Sequence, residues 1–518
     1  MHRYALSAIF ITLLILFLCS CPLPTGPVNE DTGDTTPAGP VIVTIGDSIT
    51  MGIQDAGLKY DFQVNCYPNL IAQQMEVAGA FRQPYLLENS PGIAVPPYKE
   101  PLKLVNGEID AVLWEYQSTD QELLDYVVAQ LPTSTTLSAA RFHNLGVNGA
   151  RLFDIRYTTN AETSQGGNNV FFDLVLLNSV SETNRTVLTQ AQAMEPDYII
   201  LWIGNNDILH VVLDGAGVDG AHFTDPDRDP TDETEFQTEY NGLLEDLVAI
   251  TPNVIVAKLP AYLPFVYALD GIFQEGPNLI GDFPDGALCA FDPATFEPAA
   301  FDSGAGELYL PLIVEDTNPS HLLLSGVIAY MDLEDADPPG QINAVGLPTV
   351  SDLTDPEGNY KLDAGDDADL IASILAFYDL IGAVPTGMAL PGTTTLTDDE
   401  IDSAGDYIDA YNTAIQTAAD THSAVVVDMA AAWWAAGDFG GYSGLHAVQE
   451  PGTSTFSLDG VHPNNLGHAL CANAFISAMN TAFELDTPLL AVGDYAGQYT
   501  GMSITSASIG TLLGLREQ

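Results

Sequence analysis

Apolar residues recur along this chain in two rhythms. Short, unbroken apolar runs fall at 41–45, 198–203, 254–257 and 424–427, with a weaker one at 141–145. A run of this length without polar alternation suits a strand buried on both faces, as in a parallel sheet. Longer stretches with apolar residues three and four apart fall at 69–77, 235–250, 398–421 and 466–485, and these predict helices. The third opens Thr397-Asp398-Asp399-Glu400, which puts carboxylates at the positive end of the helix dipole. Strands alternating with helices predict an open α/β sheet with helices on both faces. Ligands of such sheets sit outside the carboxyl ends of the strands.

These elements leave much of the 518 residues unassigned. Stretches rich in Pro, Gly and acids intervene near 83–140, 210–233 and 261–396 and read as insertions able to roof the sheet's active rim. The last carries apolar runs of its own at 308–314 and 370–381, which predicts a subdomain or lid. The core domain is expected to span 41–485. The tail at 486–518 is Gly- and Ser/Thr-rich and receives no assignment. No internal repeat is visible.

Composition narrows the choice of partner. Hydrophobic residues make up 46% of the chain, enough to build a large core. Lys and Arg number 13 against 70 Asp and Glu, a formal charge of -57. That surface repels phosphate backbones and disfavours nucleic acid as a partner. It also predicts adaptation to high salt, since at ~1 M the Debye length falls to about 3 Å and self-repulsion is screened. The acidic segments Asp225-Pro226-Asp227-Arg228-Asp229-Pro230-Thr231-Asp232 and Asp363-Ala364-Gly365-Asp366-Asp367 offer oxygen ligands but lack the pattern of an EF-hand, and they read as solvated loops.

The first residues read as a targeting segment. His2 and Arg3 precede a short apolar run at 6–18, too short to span a bilayer comfortably, which ends Leu18-Cys19-Ser20-Cys21. This resembles the lipobox of bacterial lipoproteins. The resemblance implies a signal peptide at 1–20, Cys21 as the lipidated first residue, and a Pro/Gly/Asp/Thr tether at 21–40. The expected location is the bacterial cell envelope, at the outer membrane or cell surface, with the membrane as partner through Cys21. Of the remaining Cys66, Cys289 and Cys471, at most one intrachain pair can form. Cys471, in Ala469-Leu470-Cys471-Ala472, reads as a buried small hydrophobe. No Cys/His cluster has the spacing of a zinc site, so no metal or cofactor is expected.

Four polar motifs punctuate the strand ends: Gly46-Asp47-Ser48-Ile49, Asn144-Leu145-Gly146-Val147-Asn148-Gly149, Gly204-Asn205-Asn206-Asp207 and Asp459-Gly460-Val461-His462. A serine needs a base in hydrogen-bond reach to become a nucleophile, although Ser48 at a helix start could also serve as an N-cap. One turn with Asp-x-x-His spacing can present both side chains, so that Asp459 accepts the Nδ1 proton of His462 and leaves Nε2 toward Ser48. The same pair could instead simply satisfy a turn ahead of the last helix. His468, two helical turns further on, should lie away from Asp459. Gly149 or Gly146 could bring a backbone N–H close to a substrate.

In this order the motifs resemble those of the GDSL, or SGNH, hydrolase family, with Ile49 where that name has Leu. The resemblance implies an α/β, three-layer, flavodoxin-like fold with a mostly parallel sheet, here carrying large insertions. It implies a catalytic triad of Ser48, His462 and Asp459. It implies an oxyanion hole formed by the Ser48 N–H, the Gly149 N–H and the side-chain amide of Asn206, with Gly146 and Asn205 as the rivals for the last two. The expected activity is hydrolysis of a lipid or small soluble acyl ester through an acyl-enzyme. Carbohydrate O-deacetylation on the same fold, or a non-catalytic surface binding lipoprotein, are the alternatives. Replacing Cys21→Ser should move the protein from the membrane fraction to the soluble one, and unchanged partitioning would dispose of the lipobox reading.

Overall fold

The computed structural model describes residues 39–94, 99–105, 108–110, 141–165, 169–176, 185–213, 230–260, 395–429, 454–459 and 461–499, together with short pieces between 319 and 388. Its centre is a sheet of five strands: β1 (Ile42–Gly46), β2 (Asn144–Gly146), β3 (Tyr198–Trp202), β4 (Val254–Lys258) and β5 (Val425–Asp428). They lie in the order β2-β1-β3-β4-β5 and every pairing is parallel. This is the flavodoxin-like order, with β1 at the point where the winding reverses. All five residues of β1 are buried, and β3 is buried from its second residue on, which is why their sequences read as continuous apolar runs.

Helices cover both faces. On one lie α2 (Tyr67–Gln74) and the last helix, α8 (Asn465–Phe483), which pack on each other. Tyr67 stacks on Phe475 at 5.1 Å, and the Trp202 ring meets Phe475 edge-on. On the other lie α3 (Leu152–Tyr157), α4 (Val187–Ala193), α6 (Glu233–Ile250) and α7 (Asp398–His422). Phe236 of α6 and Tyr411 of α7 stack with centroids 3.9 Å apart. The Asn412 amide of α7 takes both backbone groups of Leu259, just past β4, and so fixes α7 along that strand.

Each predicted strand and helix is present, with ends moved by a few residues. The helix expected from 235 begins at Glu233, because the Asp232 carboxylate accepts the N–H groups of Thr234 and Glu235. The short helices α3, α4 and Val170–Leu176 have no counterpart in the apolar rhythm. At six or seven residues they are too brief to show a period, and local caps set their starts: Asp154 takes the Arg151 N–H, and Thr186 and Thr189 bond reciprocally. Cys66 and Cys471 are both buried and free, and burial pushes the Cys66 thiol up to about 12. The lipobox with Cys21, Cys289, the acidic stretch 225–229 and the apolar run 308–314 lie outside the described residues. Among the described residues no helix is long and apolar enough to cross a membrane, and no acidic or Cys/His group could hold a metal ion.

Two features of this frame bear on the sheet's carboxyl edge. First, β1 and β2 crowd the turn that follows β1. A Cβ on Gly146 would stand 2.3 Å from the Met51 amide nitrogen, and one on Gly46 would stand 2.4 Å from the Trp202 carbonyl oxygen. Second, Asp207 is wholly buried at the start of α5 (Asn206–Leu213), where it accepts from the Leu152 N–H at 2.9 Å and the Thr231 hydroxyl at 2.7 Å. Burial drives its pKa up to about 7, against the pull of those two hydrogen bonds.

Gly146→Ala should therefore destabilise the fold by roughly 1–3 kcal/mol, seen as a lowered melting temperature, since the clash is with backbone that cannot step aside. A wild-type melting temperature would show that the approach is looser than described. For Asp207 the sign follows from a folded pKa above the unfolded one. The native state holds the proton more tightly between about pH 4 and 7, so this group's contribution to stability falls as pH rises through that window. Asp207→Asn keeps both contacts, because the Thr231 hydroxyl can turn to accept. The drop in melting temperature from pH 5 to pH 8 should be smaller in that variant, and an equal drop would assign the pH dependence elsewhere.

Candidate active site

The strands β1, β2 and β3 end in step, with Gly46 beside Gly146 on one side and Trp202 on the other. The loops that carry three of the four sequence motifs therefore leave the sheet at one level. Beyond Gly46 the chain turns at once into α1 (Ser48–Met51). Asp47, not Ser48, is the N-cap: its Oδ1 accepts the Ile49 N–H at 3.0 Å, and its Oδ2 accepts the Asn205 amide at 2.8 Å. Ser48 is thus the first helical residue, free of the capping role its position had allowed. Gly52, at φ 94°, closes the turn in the left-handed region. Burial raises the Asp47 carboxyl to about 6, against the Asn205 and Ile49 hydrogen bonds and the nearby charge of His462.

The second motif divides its labour among several residues. The Asn144 amide donates to the Thr50 carbonyl at 2.8 Å and to Gln83 at 3.0 Å, and its oxygen accepts the Gly146 N–H. Asn144 therefore ties β2 to α1. Gly146 lies against the α1 backbone, so its missing side chain serves packing. Gly149 differs. It has φ +72°, and a Cβ there would meet nothing nearer than the Asn169 amide nitrogen at 3.4 Å. Its backbone conformation favours glycine while its surroundings stay open.

The third motif splits in the same way. Asn205 turns inward to Asp47, whereas Asn206, at the start of α5, donates one amide proton to the Ala150 carbonyl at 3.0 Å. That bond holds the Asn206 amide against the turn containing Gly149. Gly204 at φ +122° makes the bend just ahead of the two asparagines.

Asp459 and His462 sit on one loop. His462 Nδ1 lies 2.8 Å from Asp459 Oδ2, and Asp459 Oδ1 accepts the N–H groups of Val461 and His462 and the Ser457 hydroxyl. Burial alone would raise the Asp459 pKa. The His462 charge and these hydrogen bonds outweigh it and hold the carboxyl well below the usual range, so it stays ionised at any working pH. When the imidazole is neutral, this ionised, acceptor-only partner makes Nδ1 the protonated nitrogen and puts the lone pair on Nε2, where it can act as a base. Ser48, Asp459 and His462 are each only 7–8% exposed, so little water screens them.

His468 is on α8, fully buried, with Nδ1 accepting the Tyr67 N–H. Burial lowers its pKa to about 3, so it packs as a neutral ring stacked against Tyr67. Five further residues pack around the site, Asp47, Asn205, Asp55, Ser457 and Tyr499; the sequence pattern gave Asp47 no role, offered Asn205 only as the rival of Asn206, and marked none of the other three. Only Asp47 and Asn205 lay inside a motif. The others act through contacts more than 400 positions apart.

No curated protein matches the chain. Among solved structures, an alpha/beta hydrolase enzyme from the metagenome of Lake Arreo, Spain, is similar at 13% identity and a TM-score of 0.32, over 86% of this chain and 97% of that one. A mutant of an acetyl-xylooligosaccharide esterase from Geobacillus Stearmophilus is similar at 11% identity and a TM-score of 0.29, over 86% and 95%. The model of GDSL-like lipases and acylhydrolases matches residues 42–268, a span that holds Ser48, Gly149 and Asn206 and ends before Asp459 and His462. Over that span the chain is similar to the GDSL-like lipases and acylhydrolases, a family of ester hydrolases.

Proposed function

We propose that Ser48, His462 and Asp459 form the catalytic triad of this hydrolase, and that the Ser48 N–H, the Gly149 N–H and the Asn206 amide form its oxyanion hole. The observation that carries the reading is the buried Asp459–His462 hydrogen bond on a loop fastened to the turn just beyond the Ser48 helix. Ser48 Oγ attacks the ester carbonyl as His462 Nε2 takes its proton. The three donors receive the negative charge on the carbonyl oxygen. His462 then protonates the departing alcohol, and water repeats the sequence on the acyl-serine to release the acid. Asp459 stays charged throughout and stabilises the imidazolium.

The substrate in this proposal is a lipid or small soluble acyl ester, and no cofactor or metal takes part in the steps. The enzyme is anchored to the cell envelope through a lipidated Cys21, and its -57 charge suits a salty medium. The test is hydrolysis of a short-to-long series of chromogenic acyl esters, by wild type and Ser48→Ala, in low and high salt. Ser48→Ala should lower kcat on the order of 10^4-fold or more with a nearly unchanged melting temperature. Activity near wild type would remove Ser48 from the role. Preference for acetyl over long acyl esters would make it a deacetylase, the reverse a lipase. Full activity and an intact fold in dilute buffer would overturn the salt adaptation.

A further inference from the structure

The segment after α8 returns to the active site. It runs back along α8, held by two asparagine side chains that each clasp a backbone pair: Asn480 takes Thr487 and Asn473 takes Leu490. It arrives at Gln498 and Tyr499. Gln498 accepts the N–H of Asn465, the first residue of α8, and donates to Gln54. Tyr499 is 3% exposed, and its hydroxyl donates to Asp55 Oδ1 at 2.6 Å.

Asp55 and Ala56 form the turn beyond α1 and are neither glycine nor asparagine, yet both have positive φ, 53° and 59°. Such a conformation costs on the order of 1 kcal/mol or more per residue and persists only where its surroundings impose it. Here it aims consecutive N–H groups at the loop of the catalytic acid. The Asp55 N–H donates to the Ser457 hydroxyl at 3.0 Å, and that hydroxyl donates to Asp459 Oδ1 at 2.8 Å. The Ala56 N–H donates to Asp459 Oδ2, the oxygen that also faces His462. The Asp55 carboxylate accepts the Leu458 N–H at 2.9 Å on the same oxygen that Tyr499 occupies. Burial, and then the Asp55 charge, keep the Tyr499 hydroxyl protonated; burial also raises the Asp55 carboxyl to about 7, so above that pH Tyr499 donates to an ionised carboxylate.

We infer that Asp55 and Tyr499 are positioning residues of the reaction, holding the Asp459 carboxylate in the orientation that fixes the His462 ring. The path is short: Tyr499 to Asp55, Asp55 to Ser457 and Leu458, and Ser457 and Ala56 to Asp459. Without the phenol hydroxyl, Asp55 loses one of its two donors and the strained turn loses part of what imposes it. The Ala56 and Asp55 N–H groups are then less firmly aimed, and the carboxylate beneath His462 gains freedom. The effect should fall on turnover, because the path ends on the Asp459–His462 pair, whose part in the reaction is proton transfer.

This inference rests on the triad reading, and the experiment separates the two. Full-length wild type, Ser48→Ala, Tyr499→Phe and Ser457→Ala are compared on one short chromogenic ester, with the proton NMR signal of the Asp459–His462 hydrogen bond as a readout that needs no turnover. Tyr499→Phe should lower kcat about tenfold with KM within about twofold, the loss expected for one hydrogen bond. It should also shift or broaden the downfield imidazole proton. Ser457→Ala, which removes a direct donor to Asp459, should show the same signature and serves if Tyr499→Phe does not fold. A wild-type kcat and an unmoved proton signal, even with a lowered melting temperature, would reduce the tail to a structural staple. A raised KM with unchanged kcat would also overturn the inference. A Ser48→Ala variant as active as wild type would instead sink the triad reading itself.

Discussion

A carboxylate kept charged out of water needs a donor for nearly every lone pair, and much of this active rim is arranged around meeting that need at Asp459. Burial opposes ionisation strongly, and only the imidazole and a set of N–H and O–H groups reverse the balance. The donors come from three places in the chain: the loop's own Val461 and His462, Ser457 two residues earlier, and Ala56 some 400 positions away. The loop could not supply them all by itself. The turn after α1 must lie against it, and so the Ser48 helix and the acid–base pair are fixed to one another by the cost of leaving that charge unpaired.

A second constraint acts from the sheet side. Three parallel strands stop at one level, and Gly146 lets the α1 backbone sit on them at distances no Cβ would tolerate, while Gly46 lies as close to the Trp202 carbonyl of β3. Buried polar pairs then lock the loops together: Asp47 to Asn205, Asn144 to Thr50, Asn206 to Ala150. Each joins two different strand ends. Such pairs are costly to break, because either partner left alone would be an unsatisfied buried group. They give the site its rigidity without drawing on the insertions that separate the strands.

Much of the core was legible in the sequence. The five apolar runs are the five strands, because a strand buried on both faces has no polar alternation to confuse the pattern. The four longest periodic stretches are helices for the matching reason. Short helices escaped notice, since a helix of two turns is defined by its caps more than by its period. At the site, Asp459 and His462 were readable as a local pair, and Ser48, Gly149 and Asn206 as strand-end residues. Choosing Gly149 over Gly146, and Asn206 over Asn205, has a physical basis only in three dimensions. Gly146 and Asn205 face inward, on the α1 backbone and on Asp47, while Gly149 and Asn206 adjoin one another at the open edge.

The sequence by itself determined the alternation of elements, a resemblance in its strand-end motifs, the candidates for nucleophile, base and acid, and a strongly acidic composition. Those are local properties: a period, a spacing, a sum of charges. Only the tertiary structure decided the strand order, which of two neighbouring residues within a motif turns inward, and the return of Gln498 and Tyr499 to a turn more than 400 positions earlier. A hydrogen bond between such distant positions leaves no periodic or spacing signature in one sequence. It exists because folding brings buried polar groups within reach of partners that water would otherwise have supplied.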